Sequence, residues 1–444
     1  MQSNRGQSLS RDCRKPVAER VATSGYTDIR GKAPLKRVPF MSKINIIVTH
    51  IEKGRFSGGI LCVLQYAKGL RAKGHDVRIV PMRPSDPPQW FDGDFGEFPR
   101  YSKSYGLRVV FSLLKSILAP QNFRKKNRKT MKSAIGGVAT ELGLMCFKVL
   151  PAEIRRGVSL GYVKKLITSY YYDADITLAT AYETALPAYL YGTGKCCYFV
   201  QHFEPLFSID FEDAEAVRRE ALLSYRLGLR IIANSSWLRE KLRNEVGVDA
   251  QLSPNAIDHE IFNGDVKNFV IADAPLKIIS YGGRGAKWKG FADMLRAVKI
   301  ARDALGVAAV EWYVYGACEM EPNNSTASFE QLGFLAPRAL AEAYKRCDVL
   351  LSASWYESFP LFPLEAMACG LAVICTQDGT EEFAIHGDTA EIVKAGDPSN
   401  IAAAIIKLSR DVAYRRRIAE RGKEMSLKFT WENSVAQMER LLLR

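Results

Sequence analysis

The sequence has no apolar run long enough to cross a bilayer and no apolar segment near its N-terminus. A membrane-spanning helix needs about 18 consecutive apolar residues, and a secretory signal needs an apolar core behind a basic start. The nine cysteines include no C-x-x-C pair and no Cys/His cluster with zinc-ligand spacing. These absences predict a cytoplasmic chain with reduced thiols.

A dinucleotide fingerprint is also missing. The first predicted strand, 44–48, is followed by Ser57-Gly58-Gly59 and not by G-x-G-x-x-G, which argues against a nicotinamide-dependent oxidoreductase. The composition is that of an ordinary globular protein, with 47% hydrophobic and 25% charged residues among 444. A chain of this length is too long for a single core, so two domains are expected.

Basic residues are concentrated in two segments. Residues 1–40 carry nine Lys/Arg against three Asp/Glu, and residues 100–165 carry fifteen against two, within a net charge of +14. The first segment has no apolar period, which predicts a disordered basic tail. The second mixes its cations with Phe, Leu, Tyr and Ile, a composition that favours an anionic membrane surface. A solvated basic face is the alternative, and no nucleic-acid-binding motif accompanies the charge, so no nucleic-acid partner is expected.

Strands and helices alternate along both halves of the chain. Strands are predicted at 44–48, 75–80, 176–179, 197–200, 230–233, 278–281, 311–315, 349–352 and 372–375. Helices are predicted at 60–70, 290–304, 338–346, 362–369 and 398–409. This alternation predicts doubly wound parallel sheets, in which ligands bind in the loops at the carboxyl ends of the strands.

Two such loops in the second half carry charges. One holds Arg284, Lys287 and Lys289 among glycines at the start of a helix, a pattern suited to a diphosphate. The other holds Glu357 and, eight residues later, Glu365. Carboxylates can accept hydrogen bonds from sugar and ribose hydroxyls. Taken alone, the first loop also fits a solvated loop with surface cations. In the second, Glu365 also fits a first-turn helix acid and Glu357 a loop charge.

The joint order and spacing of several motifs resemble those of the retaining GT-B glycosyltransferases of family GT4. In chain order the motifs are Ser57-Gly58-Gly59, Gly74-His75-Asp76-Val77, Asn255-Ala256-Ile257-Asp258, Arg284 with Lys289, Glu357-x7-Glu365 before Ala366-Met367-Ala368-x-Gly370, Gly379-Thr380-Glu381-Glu382, Gly396-Asp397-Pro398 and Thr430-Trp431-Glu432. The resemblance implies two facing Rossmann-like domains with a cleft between them. Expected are an acceptor domain at 41–258 that contains the basic insert, a donor domain at 259–415, and a C-terminal helix at 416–444 that returns to the first domain.

The resemblance also implies roles for individual residues. Arg284 and Lys289 are expected to neutralise the donor diphosphate. Glu357 is expected to hold hydroxyls of the transferred sugar, and Glu365 the ribose of the nucleotide. Backbone amides of Gly58-Gly59 are expected to approach the diphosphate when the cleft closes.

Cations and helix dipoles would balance the charge of the leaving group in such a site. Neither a metal ion nor another cofactor is therefore expected. Two D-x-D sequences, Asp92-Gly93-Asp94 and Asp173-Ala174-Asp175, are interpreted as structural. The chain departs from the family at Pro360, where a glycine is common. Proline has no N–H, so phosphate contacts there are expected from Leu361 or Phe362.

The acceptor side depends on a segment of the first half. The sequence from Tyr198 to Leu206 resembles the family segment whose histidine or acid lies near the transferred sugar. His202 and Glu204 are therefore candidates for positioning the sugar or handling the acceptor proton. His50 and Glu52 follow the first strand and are further candidates by topology.

The predicted function is transfer of a hexosyl or deoxyhexosyl group from a nucleoside-diphosphate sugar to a glycan or lipid-linked acceptor. We expect this to occur in surface polysaccharide assembly, at the inner face of the plasma membrane. Segments 198–207 and 360–363 resemble a branch that handles rhamnose-containing glycans. Retention follows from the resemblance, and a front-face mechanism assisted by the leaving phosphate is implied. The alternatives are a sugar-nucleotide epimerase of the same architecture and a non-catalytic membrane-docking protein.

Overall fold

The computed structural model describes residues 41–52, 54, 56–99, 152–206, 214–267, 274–283, 286–316 and 328–444. The predicted tail at 1–40 and most of the basic segment at 100–165 lie outside these residues. Arg284, for which the sequence predicts a diphosphate contact, also lies outside them.

The first of two six-stranded parallel sheets has the strand order β2-β1-β3-β4-β5-β6. Its strands are Lys43–Val48 (β1), Asp76–Pro81 (β2), Ile176–Ala179 (β3), Lys195–Val200 (β4), Arg230–Ala233 (β5) and Gln251–Leu252 (β6). Its helices are Gly58–Ala72 (α1), Ala152–Ser169 (α2), Tyr182–Tyr191 (α3), Ala214–Ser224 (α4) and Ser236–Lys241 (α5), the last followed by a π-helical turn at Leu242–Val246. The side chain of Ser235 caps α5 by accepting from the amide of Leu238.

The second sheet has the order β12-β11-β10-β7-β8-β9. Its strands are Leu276–Tyr281 (β7), Val310–Tyr315 (β8), Glu330–Gly333 (β9), Val349–Ser352 (β10), Ala372–Cys375 (β11) and Glu391–Ile392 (β12). Its helices are Phe291–Leu305 (α6), Pro337–Arg346 (α7), Leu361–Ala368 (α8), Pro398–Arg410 (α9) and Val412–Ser426 (α10), and the chain continues into Trp431–Leu443 (α11). The two sheets confirm the predicted doubly wound α/β fold.

Each sheet is wound in two directions from a central pair of strands. The winding reverses between β1 and β3 in the first sheet and between β7 and β10 in the second. The strands at these points are almost wholly buried, since helices cover both faces of a parallel sheet. Loops that leave the carboxyl ends of these strands face a crevice, which is where ligands bind in such folds.

The last two helices pack in different places. Helix α10 buries Ile418 and Ala419 in the core of the second sheet, so the expected boundary between 415 and 416 falls inside a helix. Helix α11 packs against α1 of the first half and contributes Val435, Met438 and Leu442 to its core. Among the described residues, no helix combines the length and apolarity that crossing a membrane requires.

Candidate functional site

A cleft of about 590 Å³ lies between the carboxyl ends of the two sheets. Its walls come from the loops after β1, β4 and β5 on one side and after β7, β8, β9 and β10 on the other. A cavity of this size suits a small-molecule ligand. The predicted site residues that line it are Gly58, Gly59, His202, Lys289, Glu357, Leu361, Phe362 and Glu365.

Lys289 and Glu357 lie next to each other because they follow β7 and β10, the strands that border the reversal point. Nζ of Lys289 forms an ion pair with Oε1 of Glu357, and Oγ of Ser354 donates to the same oxygen at 3.1 Å. Nζ of Lys289 also lies 4.2 Å from the centre of the Trp288 ring, a cation–π contact. The cleft wall thus presents one cation and one carboxylate side by side, where partial burial strengthens their interaction with a ligand.

Two glycines allow these loops to pack so closely. Gly290 has a φ of +69°, and a Cβ there would lie 2.0 Å from the carbonyl oxygen of Ala353. Gly379 has a φ of +83°, and a Cβ there would lie 2.5 Å from the carbonyl oxygen of Glu357. A side chain at either position would separate the loops, so both positions require glycine.

Glu365 lies in α8, within the cleft wall and only 6% exposed. Burial raises the pKa of its carboxyl to about 8. Its Oε2 has no hydrogen-bond partner among the described residues. A buried polar group without a partner costs free energy, and ligand hydroxyls that donate to it would remove that cost.

The N-terminus of α8 faces the cleft, and few of its backbone amides are available to donate hydrogen bonds. Pro360 is the N-cap, and Pro363 occupies the third helical position. Since proline carries no N–H, the first turn can donate to an anion only from Leu361 and Phe362. These are the two residues for which the sequence predicts phosphate contacts, and both line the cleft.

His202 brings the first half to the same place. It follows β4 and lines the cleft, close enough for the charges of Glu357 and Lys289 to shift its pKa. Burial is the main cause that lowers the pKa of His202, to about 4; Glu357 acts against this shift and Lys289 adds to it. The imidazole is therefore uncharged near neutral pH and offers a hydrogen bond without a positive charge.

Glu204, the second residue predicted for the acceptor side, lies behind the cleft wall and not on it. Its carboxylate accepts from the amide of Tyr182 at 2.9 Å and from the hydroxyls of Tyr198 at 2.6 Å and Tyr225 at 3.2 Å. Burial raises its pKa to about 7. These three donors hold the carboxyl, so its described contacts anchor the loop after β4.

The loop after β1 and the start of α1 form the opposite wall. A Cβ at Gly58 would meet nothing within 4 Å, and one at Gly59 would meet only the side chain of Gln201, at 3.6 Å. His50 and Glu52 also line this wall, and Nδ1 of His50 lies 2.9 Å from Oγ of Ser85. The glycines therefore leave open space in front of the helix, which a ligand can approach closely.

Sequence reasoning missed several residues of the cleft and its support. Trp288 stacks on Tyr356 with ring centres 5.6 Å apart and an interplanar angle of 13°. Asn234, directly after β5, also lines the cleft and accepts from Ser358 across it. The position of Trp288 directly before Lys289 was the signal available in the sequence.

The two D-x-D sequences contact protein groups. Asp94 accepts from Nε of Arg71 at 2.9 Å, and Asp173 accepts from a guanidinium nitrogen of Arg78 at 2.6 Å. The described residues contain no group of three or more His, Cys, Asp or Glu side chains arranged to hold a metal ion.

Comparison with known proteins places this geometry in context. Residues 276–411 match the family model described as glycosyl transferases group 1. An O-antigen biosynthesis protein of Myxococcus xanthus is 28% identical over 273 residues, which cover 61% of this chain and 21% of that protein. The chain thus matches about a fifth of the length of that relative.

Two solved structures share the fold over most of the chain. A sucrose-phosphate synthase of Thermosynechococcus elongatus aligns with a TM-score of 0.65 at 18% identity, covering 90% of this chain and 98% of that one. HepE of Anabaena, solved with UDP and glucose, aligns with a TM-score of 0.59 at 16% identity, covering 90% and 99%. Together with the two facing sheets, these alignments confirm the GT-B fold.

Proposed function

We propose that the chain is a retaining glycosyltransferase, a proposal supported by the match of residues 276–411 to the family model for glycosyl transferases group 1. It transfers a hexosyl or deoxyhexosyl group from a nucleoside-diphosphate sugar to a glycan or lipid-linked acceptor in surface polysaccharide assembly. The observation that carries the proposal is the meeting of Lys289, Glu357, Glu365 and His202 in one cleft between the sheets.

Each of these residues binds a different part of the donor. Lys289, with Arg284 from the same loop, neutralises the diphosphate together with the amides at the start of α8. Glu365 accepts from the ribose hydroxyls, which supply partners for its buried Oε2. Glu357 accepts from hydroxyls of the transferred sugar. The ion pair between Lys289 and Glu357 supports a bound geometry in which diphosphate and sugar are adjacent.

Transfer breaks the bond between the anomeric carbon and the phosphate oxygen and forms one to the acceptor hydroxyl oxygen on the same face. The acceptor proton passes to the leaving phosphate. Lys289 stabilises the negative charge that develops there, so the proposal requires no resident metal or other cofactor. His202, uncharged near neutral pH, contacts the sugar by a hydrogen bond and adds no positive charge.

A donor screen tests the proposal. We expect one member of a set of UDP-, GDP- and dTDP-sugars to raise the melting temperature of the protein and to be slowly hydrolysed. UDP-glucose is the first probe because HepE was solved with UDP and glucose. Glu357→Gln should abolish hydrolysis. Glu420→Gln, which changes an exposed carboxylate of α10 paired with Arg416, should leave hydrolysis unchanged.

Other outcomes point to the alternatives. Interconversion of the nucleotide sugar without release of the nucleotide would indicate an epimerase. A product with inverted anomeric configuration would refute retention. If no donor binds, even with lipid extract present as a source of acceptor, the non-catalytic docking protein replaces this proposal.

The acceptor side also supports contact with an anionic membrane. Tyr170 and Tyr172, directly after α2, are 62% and 66% exposed, and Tyr189 and Leu190 of α3 are 55% and 47% exposed. Lys164 of α2 lies over a tyrosine ring of α3. Exposed tyrosine and leucine beside cations are the composition of interfacial surfaces.

We expect the protein to sediment with phosphatidylglycerol vesicles and not with phosphatidylcholine vesicles, and to be released at high salt. The double variant Tyr189→Ser, Leu190→Ser should weaken sedimentation. Ile385→Ser, at a position in the second half that is 46% exposed, serves as the matched control. Equal sedimentation of both variants would exclude this surface as the docking face.

A further inference from the structure

The residues directly before and after Glu357 in the sequence each donate a hydroxyl hydrogen bond across the cleft. Oη of Tyr356 donates to the carbonyl oxygen of Leu206 at 3.0 Å, and Oγ of Ser358 donates to Oδ1 of Asn234 at 2.5 Å. The donors belong to the loop after β10, whereas the acceptors belong to the loops after β5 and β4 of the other sheet. The residue expected to hold the sugar is therefore flanked by two contacts with the opposite half.

The Ser358 contact is buried and continues toward His202. Ser358 is 1% exposed and Asn234 is 2% exposed. Breaking their hydrogen bond would leave a buried donor and a buried acceptor without partners, which costs free energy. Nδ2 of Asn234 donates to the carbonyl oxygen of Gln201 at 3.0 Å. Because Gln201 directly precedes His202, this chain of hydrogen bonds connects the Glu357 loop to the His202 loop.

The Tyr356 contact forms a second connection. The ring of Tyr356 stacks on Trp288, whose own ring holds the ammonium group of Lys289. Its hydroxyl reaches Leu206, four residues beyond His202. Displacement of the Lys289 loop would therefore displace the far end of the His202 loop.

We propose that Tyr356, Ser358 and Asn234 are positioning residues that set the separation between Glu357 and His202. This inference rests on the proposed function, since it assigns both of those residues to one transferred sugar. It implies a division of recognition. The nucleoside diphosphate is held mainly by the second half, through Lys289 and Glu365. The sugar is held only when the two halves lie at the separation that these contacts set.

Isosteric variants test this division. Tyr356→Phe and Ser358→Ala each remove one hydroxyl and keep the rest of the packing. Dissociation constants for UDP and UDP-glucose, or for the nucleotide and nucleotide sugar that the donor screen identifies, are measured with kcat for each variant. We expect affinity for the nucleotide sugar and kcat to fall about threefold to tenfold per hydroxyl, with UDP affinity within about twofold of the parent protein.

Matched controls remove equivalent hydroxyls elsewhere in the second half. Oη of Tyr313 donates to Glu311 at 2.8 Å, and Oγ of Ser426 donates to a backbone carbonyl at 2.7 Å. Tyr313→Phe and Ser426→Ala should leave the ratio of nucleotide to nucleotide-sugar affinity unchanged. A merely structural role for Tyr356 and Ser358 would lower the melting temperature without changing that ratio.

Amide hydrogen exchange provides a measurement that needs no ligand. In the double variant Tyr356→Phe, Ser358→Ala, residues 201–206 should exchange faster than in the parent protein, and the strands of both sheets should not. Unchanged exchange in this segment would overturn the positioning role whatever the substrate is. So would equal losses of nucleotide and nucleotide-sugar affinity. A parent protein that binds no nucleotide sugar refutes the proposed function instead, and the exchange result still decides the positioning role.

Discussion

Glu365 combines burial, an unpartnered oxygen and a raised pKa. Its carboxyl is 6% exposed, Oε2 has no partner among the described residues, and burial raises its pKa from 4.5 to about 8. A carboxyl group whose pKa is higher in the folded than in the unfolded state stabilises the fold most when both states are protonated. That stability is lost as the pH rises from about 4.5 through 8.

We therefore expect Glu365→Gln to become more stable than the parent protein as the pH rises. The difference in free energy of unfolding should be small at pH 4.5 and grow to roughly 2–5 kcal/mol by pH 8 to 9. Urea unfolding at several pH values measures it, and Glu420→Gln should show no such trend. Parallel curves for parent and Glu365→Gln would show that the carboxyl is not desolvated. The same variant should bind UDP more weakly, which separates stability from function.

The position of Glu204 shows where residue-level prediction ends. The sequence predicted that the segment after β4 faces the cleft, since loops at the carboxyl ends of parallel strands do so, and His202 lines the cleft. Whether each side chain of that loop points into the cleft depends on distant partners. Tyr225, which binds the Glu204 carboxylate, lies 21 positions away, and nothing in the local pattern reveals that contact.

At the scale of single elements, helix α1 begins at Gly58 and Gly59, and the packing around both positions would accommodate a side chain. A Cβ would fit at both positions, since Gly58 has nothing within 4 Å and Gly59 has only a flexible glutamine end. Alanine also favours a helix over glycine by about 1 kcal/mol. This agrees with the proposal that a ligand approaches the backbone at this pair.

We expect the double variant Gly58→Ala, Gly59→Ala to retain or slightly raise the melting temperature. Its turnover of the donor should fall about tenfold or more, because two methyl groups would occupy the space that the proposed function assigns to the diphosphate. Thermal unfolding and donor hydrolysis measure the two effects. Gly157→Ala in α2, also with nothing within 4 Å, is the control that should leave turnover unchanged. A loss of stability in the double variant would show that the glycines serve the fold instead.

Most strands could be predicted, and the three that the sequence did not predict share a physical cause. Strands β3, β5, β10 and β11 match their predicted limits, since each is a mainly apolar and mainly buried run. Strands β6 and β12 have two residues each, and β9 is a polar, largely exposed sequence. Such edge strands are fixed by pairing with a neighbouring strand and not by their own composition, so the sequence gives no signal for them.

At the scale of the whole molecule, contacts between distant segments could not be predicted. The family resemblance implied that the C-terminal helix returns to the first domain, but not what it would meet there. Helix α11 packs Val435 against Gly69 of α1, where a Cβ would lie 2.3 Å from one valine methyl and 2.9 Å from the other. Nearby, Glu439 of α11 binds both His75 and Lys73. The helix that carries the glycine pair is thereby fixed to the end of the chain.

This contact leads to a paired prediction. Gly69→Ala should lower the free energy of unfolding by about 1–3 kcal/mol, because the overpacking against Val435 exceeds the gain in helix propensity. Val435→Ala alone should also destabilise the protein, by leaving a cavity between α1 and α11. Combined, the two substitutions remove the clash and fill part of the cavity, so the double variant should be more stable than the sum of the single effects predicts.

Urea unfolding of the parent protein, both single variants and the double variant measures this coupling. A coupling energy above about 0.5 kcal/mol would establish direct packing between the two helices, since distant sites add within that margin. Strict additivity would mean that α11 does not pack on α1 in solution. In that case α1 would not be fixed to the end of the chain, and the glycine pair at the cleft would be free to move with the first half alone.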